Sequence, residues 1–150
     1  MDQKVKKAIF QAVKNEPFAR AMNMELVELD LGHSVVQMTY EPEKMNNIYD
    51  RAHGGAIYAL IDEAFETAGQ TDGTIAVALN VNVTYVSSPE SGQRLQAEAR
   101  RVSQTRKTAS YDIKVTVQNG PIIALCQALA FRTGKPIPFL YNTAEVGRLD

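Results

Sequence analysis

Two glycines at the start of an apolar helix, and one carboxylate two turns along it, form the grouping in this chain best suited to chemistry. The stretch runs Ala52-His53-Gly54-Gly55-Ala56-Ile57-Tyr58-Ala59-Leu60-Ile61-Asp62, continues through Phe65 and Glu66, and closes at Gly69. The first backbone N–H groups of a helix have no intrahelical acceptor and point along the positive end of its dipole. Glycines leave that end open, so a carbonyl oxygen can approach the amides and gather negative charge there during acyl transfer. A carboxylate further along could attack the carbonyl carbon, or take a proton from a water that does. On a wheel of 3.6 residues per turn, Asp62 sits at the border of the apolar face beside Tyr58 and Phe65, with Glu66 one turn on. A carboxylate there is half desolvated. The same spacing also fits plain packing, with the glycines allowing close approach and Asp62 in solvent.

These residues need elements to position them. Residues 3–15 carry Val5, Ala8, Ile9, Ala12 and Val13 at helical spacing. Met22 to Asp30 and Ser34 to Tyr40 alternate around Leu31-Gly32-His33 and predict a β-hairpin. The polar stretch from Glu41 to Arg51 is expected to be a loop feeding the central helix. After the Asp72-Gly73 turn, Ile75, Val77, Leu79, Val81, Val83 and Tyr85 alternate with Ala76, Ala78, Asn80, Asn82 and Thr84, a strict period of two that predicts a long strand with two distinct faces. Leu95 to Arg100 and Ala109 to Val117 alternate in the same way, joined by a basic corner at Gln104–Lys107. Asn119-Gly120 signals a two-residue hairpin turn. Ile122 to Arg132 is apolar on both faces and reads as a strand covered on both sides. From Thr133 onward Gly134, Pro136 and Pro138 predict a loose tail. The order of helix, two strands, helix and four strands predicts an α+β fold. Its six-stranded, mostly antiparallel sheet curls around one long central helix, in a single domain over residues 1–150, with an extra N-terminal helix. One helix cannot hide both faces of six strands, so self-association is expected to cover the rest.

Composition removes several function classes. With 16 basic and 17 acidic side chains among 150 residues the formal charge is −1, which provides no field to attract nucleic acid or an anionic membrane. The single cysteine, Cys126, excludes an internal disulfide and a cysteine-based zinc cluster. No signal-peptide core follows Met1, and no apolar run approaches the roughly 18 residues of a membrane span. A cytoplasmic protein is expected, with neither nucleic acid nor membrane as a partner.

His53-Gly54-Gly55, with an acid nine residues after the histidine, resembles the motif of hotdog-fold acyl-CoA thioesterases, and of their PaaI-like set in particular. The resemblance extends over about residues 20–132, through the Asp72-Gly73 turn to Asn82-Val83-Thr84-Tyr85 and Ser88-Pro89. It implies hydrolysis of an acyl-CoA to free acid and CoA, with no metal and no cofactor apart from the coenzyme A of the substrate. Asp62 would be nucleophile or general base, and the Gly54 amide, with Gly55 beside it, would polarise the thioester carbonyl. Asn47 would help to place the thioester or the water, and His53 would shape the turn. The resemblance also implies a homodimer, paired again as a dimer of dimers, in which Asp62 of one chain faces Asn47 and Gly54 of the other. Tyr58, Phe65, Glu66, Asn80 and Tyr85 are expected around the substrate, and Arg106 and Lys107 near the CoA phosphates.

Three positions depart from the pattern. Ala78 stands where some members carry a water-orienting serine, Glu66 where others carry a threonine, and Thr105 where the basic corner usually has a glycine. Two other functions are weighed against thioester hydrolysis. One is an acyl-CoA or lipid-binding module without turnover. The other is a hotdog hydratase or dehydratase, which the scarcity of histidines (only His33 and His53) disfavours.

Overall fold

The structure, a computed structural model, describes residues 1–141. Helix α1 (Gln3–Asn15) and the short α2 (Pro17–Ala21) lead into strands β1 (Glu25–Asp30) and β2 (His33–Thr39). One turn of helix, α3 (Pro42–Met45), interrupts the expected loop before the central helix α4 (Gly54–Gly69). Strands β3 (Thr74–Tyr85), β4 (Arg94–Gln104), β5 (Thr108–Val117) and β6 (Ile122–Pro136) follow, then a 3-10 turn at Pro138–Tyr141. All neighbouring strands pair antiparallel in the order β1-β2-β4-β5-β6-β3.

Helix α4 lies across the inner face of this curled sheet and touches every strand. Leu60, Ile61, Ala64 and Ala68 of the helix are completely buried, as are Met38, Leu95, Ala97 and Val115 beneath them. Each large aliphatic side chain so buried contributes roughly 1.5–3 kcal/mol. Alanines at positions 97, 99, 124, 128 and 130 keep the inner face shallow, which leaves room for the helix. Two polar contacts fix its height and pitch. Ser34 Oγ donates to the Ala64 carbonyl at 2.6 Å, and Thr71 Oγ1 accepts from Gly32 N–H at 2.7 Å while donating to the Ala68 carbonyl at 2.9 Å. Helix α1, capped by Asp2, buries Val5, Ala8, Ile9 and Val13 against the flank of this core.

Several expectations are corrected. The sheet is not built of consecutive hairpins throughout: after β3 the chain crosses over to β4 and leaves β3 at the sheet edge, paired only with β6. A bulge at Leu79 breaks its strict alternation, because Ala78 pairs with Ala130 while Asn80 pairs with the very next β6 residue, Leu129. Ala76 and Ala78 therefore face inward before the bulge, and Val81 and Val83 after it, whereas Val77 and Asn80 face out. The turn after β5 spans Gln118–Pro121, with Asn119 at φ 57°, instead of two residues. Strand β6 is covered on its inner face only, and Leu125 on the outer face is 44 % exposed. Thr133 to Tyr141, expected to be loose, complete β6 and the 3-10 turn, and Ile137 is fully buried. The remainder of the expected tail lies outside the described residues. No described helix is long and apolar enough to cross a membrane.

Candidate active site

The N-terminus of α4 is built by His53. Its backbone is extended (φ −65°, ψ 132°), and its Nδ1 accepts the Gly55 N–H at 2.9 Å, which caps the helix. The cap uses one free amide and leaves its neighbour: the Gly54 N–H has no acceptor among the described residues. A Cβ on Gly54 would stand 3.2 Å from the Tyr85 ring, whose hydroxyl donates to the Gly54 carbonyl at 3.0 Å. A side chain there asks the exposed Tyr85 ring to give by a few tenths of an ångström. The His53 side-chain contact is thus local to the turn.

Asn47 organises the loop leading into this cap. Its Oδ1 accepts from Tyr49 N–H at 2.9 Å and Arg51 N–H at 3.2 Å, and a one-residue bridge joins Asn46 to Ala52. Ile48 and Tyr49 at the loop tip are 89 % and 76 % exposed, unusual for side chains so apolar.

Asp62 stands two turns further on, half-buried. It lines a cavity of about 200 Å³ together with Phe65, Glu66, Gly69, Ala76, Val77, Ala78 and Ala130. Burial raises its carboxyl above the usual aspartate value. Ala78 is indeed on this wall, where it offers no hydroxyl. Tyr58 lies one turn before Asp62 at the surface, and its phenol is raised by burial and then by the Asp62 charge. Phe65 divides its surface between the cavity and the core, where it meets Tyr111 edge-on at 5.2 Å between ring centroids. Glu66 is an exposed residue, but partial burial of its carboxyl, followed by the charges of Glu16 and Asp62, raises its pKa.

Asn80 is separated from this group. The bulge at Leu79 turns it to the outer face, so within one chain it does not reach the Asp62 cavity. A wider concavity of about 560 Å³ on that outer face is lined by Asn82, Glu98, Arg100, Asp112 and Lys114, and contains neither Asp62 nor the helix start. Arg106 and Lys107 form an exposed corner between β4 and β5, closed by Thr105 Oγ1, which accepts from Lys107 and Thr108 N–H. The corner lies at the same end of the sheet as the cavity, since Ala78, Ala130 and Ala109 are successive partners across β3, β6 and β5. Lys107 Nζ lies 5.9 Å from the Phe131 ring centroid, and Arg132 nearby is engaged with Asp72. Arg106 is in no ion pair among the described residues.

Sequence reasoning missed Glu63. It lay on the polar side of the helix wheel, yet it is 4 % exposed, covered by the junction of α1 and α2. That junction is almost fifty residues away in the chain, and no local periodicity reports such a cover.

With the glycine-opened helix start and the half-buried acid on one helix, comparison with known proteins is decisive. The thioesterase superfamily sequence model matches residues 49–124, the span from the Asn47 loop to β6. The chain belongs to the thioesterase superfamily. Within it, the chain is 30% identical over 124 residues to the acyl-coenzyme A thioesterase PaaI of Escherichia coli, which covers 83% of this chain and 88% of that protein. A putative esterase of Archaeoglobus fulgidus is 31% identical over 125 residues, 83% of this chain and 80% of its own length. The solved E. coli PaaI structure superposes with a TM-score of 0.84 at 29% identity, covering 89% of this chain and 96% of that one. A Streptococcus mutans protein crystallised with acetyl-CoA gives a TM-score of 0.72 at 31% identity, over 77% of this chain and 92% of its own. The fold is accordingly the PaaI-like hotdog, and the family is one of thioester hydrolases.

Proposed function

We propose that this family member hydrolyses acyl-CoA thioesters, with Asp62 as the catalytic carboxylate and the Gly54 amide as the oxyanion donor. The observation that carries the reading is Asp62 itself, a half-buried carboxylate on the wall of a small cavity otherwise lined mainly by apolar atoms. The ionised Asp62 takes a proton from water, and the resulting hydroxide attacks the thioester carbon. The carbonyl oxygen becomes an oxyanion held by Gly54 N–H. Collapse of the intermediate breaks the C–S bond and releases the carboxylic acid and CoA thiolate, which takes the proton held by Asp62 and restores its carboxylate. Direct attack by Asp62 through a mixed anhydride makes the same demand on its ionised form.

Gly54 and Asp62 cannot serve one carbonyl within a single chain. Eight residues of helix separate them by about 12 Å at 1.5 Å rise per residue. The proposed site therefore forms between two copies, Asp62 of one meeting Gly54 and the Asn47 loop of the other. The open edge of β3, the exposure of Val77 and Leu79 along it, and the bare Ile48 and Tyr49 support such a pairing. Arg106 and Lys107 are proposed to meet the CoA phosphates, a reading that rests on their charge and on the end of the sheet they share with Asp62. The proposed reaction uses no cofactor beyond the coenzyme A of the substrate.

A panel of acyl-CoAs, from short aliphatic to aromatic and long-chain, followed by thiol release, tests the reading. Asp62→Asn is expected to lower the rate by roughly 10²–10⁴ while leaving the fold intact; an unchanged rate on a good substrate overturns it. Ala78 on the Asp62 wall favours one second reading, an acyl-CoA-binding module without turnover. Melting shifts with CoA esters that release no thiol would establish that module instead.

A further inference from the structure

On the side of α4 that faces α1, three carboxyl groups converge. Glu63 and Glu66 come from the helix and Glu16 from the α1–α2 junction, and one oxygen of each lies within 4.8 Å of the others. Glu63 is 4 % exposed, and its Oε1 is the one buried side-chain oxygen or nitrogen without a hydrogen-bond partner among the described residues. The three groups line a cavity of about 440 Å³ that also takes in Gln70 and Phe139. No ion pair among the described residues involves any of the three. An unmatched buried acceptor costs about 1–3 kcal/mol, and more when charged. The arrangement calls for a positive partner that the surrounding side chains do not supply.

We infer that Glu16, Glu63 and Glu66 form a binding site for a hard divalent cation of the calcium or manganese class. An all-oxygen donor set without thiolate or imidazole selects such ions over zinc or copper. Calcium–oxygen bonds of about 2.3–2.6 Å put ligands on opposite sides of the ion about 4.6–5.2 Å apart, so three oxygens within 4.8 Å can touch one ion with little movement. Gln70 Nε2 donates to Glu66 Oε1 at 3.3 Å, which leaves the amide oxygen of Gln70 free as a further ligand. The cavity leaves room for water to fill the remaining positions. The three groups ligate as carboxylates, so an ion displaces any proton held between them. An ion held here ties the α1–α2 junction to α4 one residue away from Asp62, and shares Glu66 with the wall of the Asp62 cavity. Its test reads metal binding, so it can fail while the proposed thioester chemistry stands.

The test is calorimetric titration of the full, chelator-stripped chain with calcium chloride and with manganese chloride, with melting curves in parallel. One ion per chain is expected, with a dissociation constant below about 1 mM, accompanied by a raised melting temperature. Glu63→Gln and Glu16→Gln should each weaken binding about tenfold or more, with unchanged far-ultraviolet circular dichroism. Glu63→Gln removes a buried charge and keeps the side-chain shape, so folding is preserved. Absence of saturable binding by either ion, or equal affinity in both variants and the wild type, overturns the inference. So does a stability profile that responds to pH and to neither metal, because Glu63 is then satisfied by a proton shared with Glu16.

Discussion

Asp62 is kept partly out of water by Phe65, Ala78 and Ala130, and that desolvation raises its carboxyl above the ordinary value. A base or nucleophile works ionised, so kcat/KM should climb with pH through the raised Asp62 pKa, and Asp62→Asn should lose that limb of the profile. Gly54 permits a second test at the same scale. Proline at the first helical position is favourable for the backbone but has no N–H. Gly54→Pro should thus preserve helicity by circular dichroism and lower the rate by about 10²–10³, the usual cost of one oxyanion donor. Wild-type turnover in that variant removes Gly54 from the mechanism. The helix start at Gly54-Gly55 and the half-buried place of Asp62 were legible in the sequence, because each follows from spacing along one helix. The separation of Asn80 from Asp62 was not, since a bulge of one apolar residue in an apolar–polar alternation leaves the pattern unbroken on paper.

At the scale of elements, β3 is the strand with most at stake. It is twelve residues long, ends the sheet, and presents Leu79 at 57 % exposure. A long apolar edge of this kind invites another strand. Leu79→Lys should shift the chain toward monomer in light scattering and reduce thiol release in proportion, while a variant that stays associated and fully active would move the interface elsewhere. The strands themselves were legible from their period of two. Their order was not, because pairing β3 with β6 joins residues from 39 (Tyr85 with Ala124) to 62 (Thr74 with Pro136) positions apart, which alternation cannot encode. Proline and glycine after Thr133 suggested a loose tail for the same reason: the groove that receives Ile137 is made by distant segments.

Across the whole molecule, α4 is buried on more of its circumference than its amphipathic pattern implied, with the sheet on one side and the α1–α2 junction on another. Glu63 bears the consequence. Its folded pKa of about 8 exceeds the ordinary 4.5, so the folded state holds the proton more tightly than the unfolded chain. The stability this contributes is fully present below the unfolded value and is lost as pH rises towards 8. With a chelator present, the melting temperature should fall over that window by a few degrees, on the order of 1–3 kcal/mol for a chain of this size. Glu63→Gln should flatten the slope; an equal slope in that variant would assign the effect to other groups. The central claim is that Asp62 and Gly54 act together across two copies of the chain, and complementation tests it most directly. Asp62→Asn and Gly54→Pro chains, each inactive alone, are unfolded together, refolded as a mixture and assayed for thiol release. A shared site predicts recovered activity, because each mixed pair retains one site with an intact Asp62 from one chain and an intact Gly54 from the other. A mixture that forms mixed pairs and stays as inactive as its parents would contradict it.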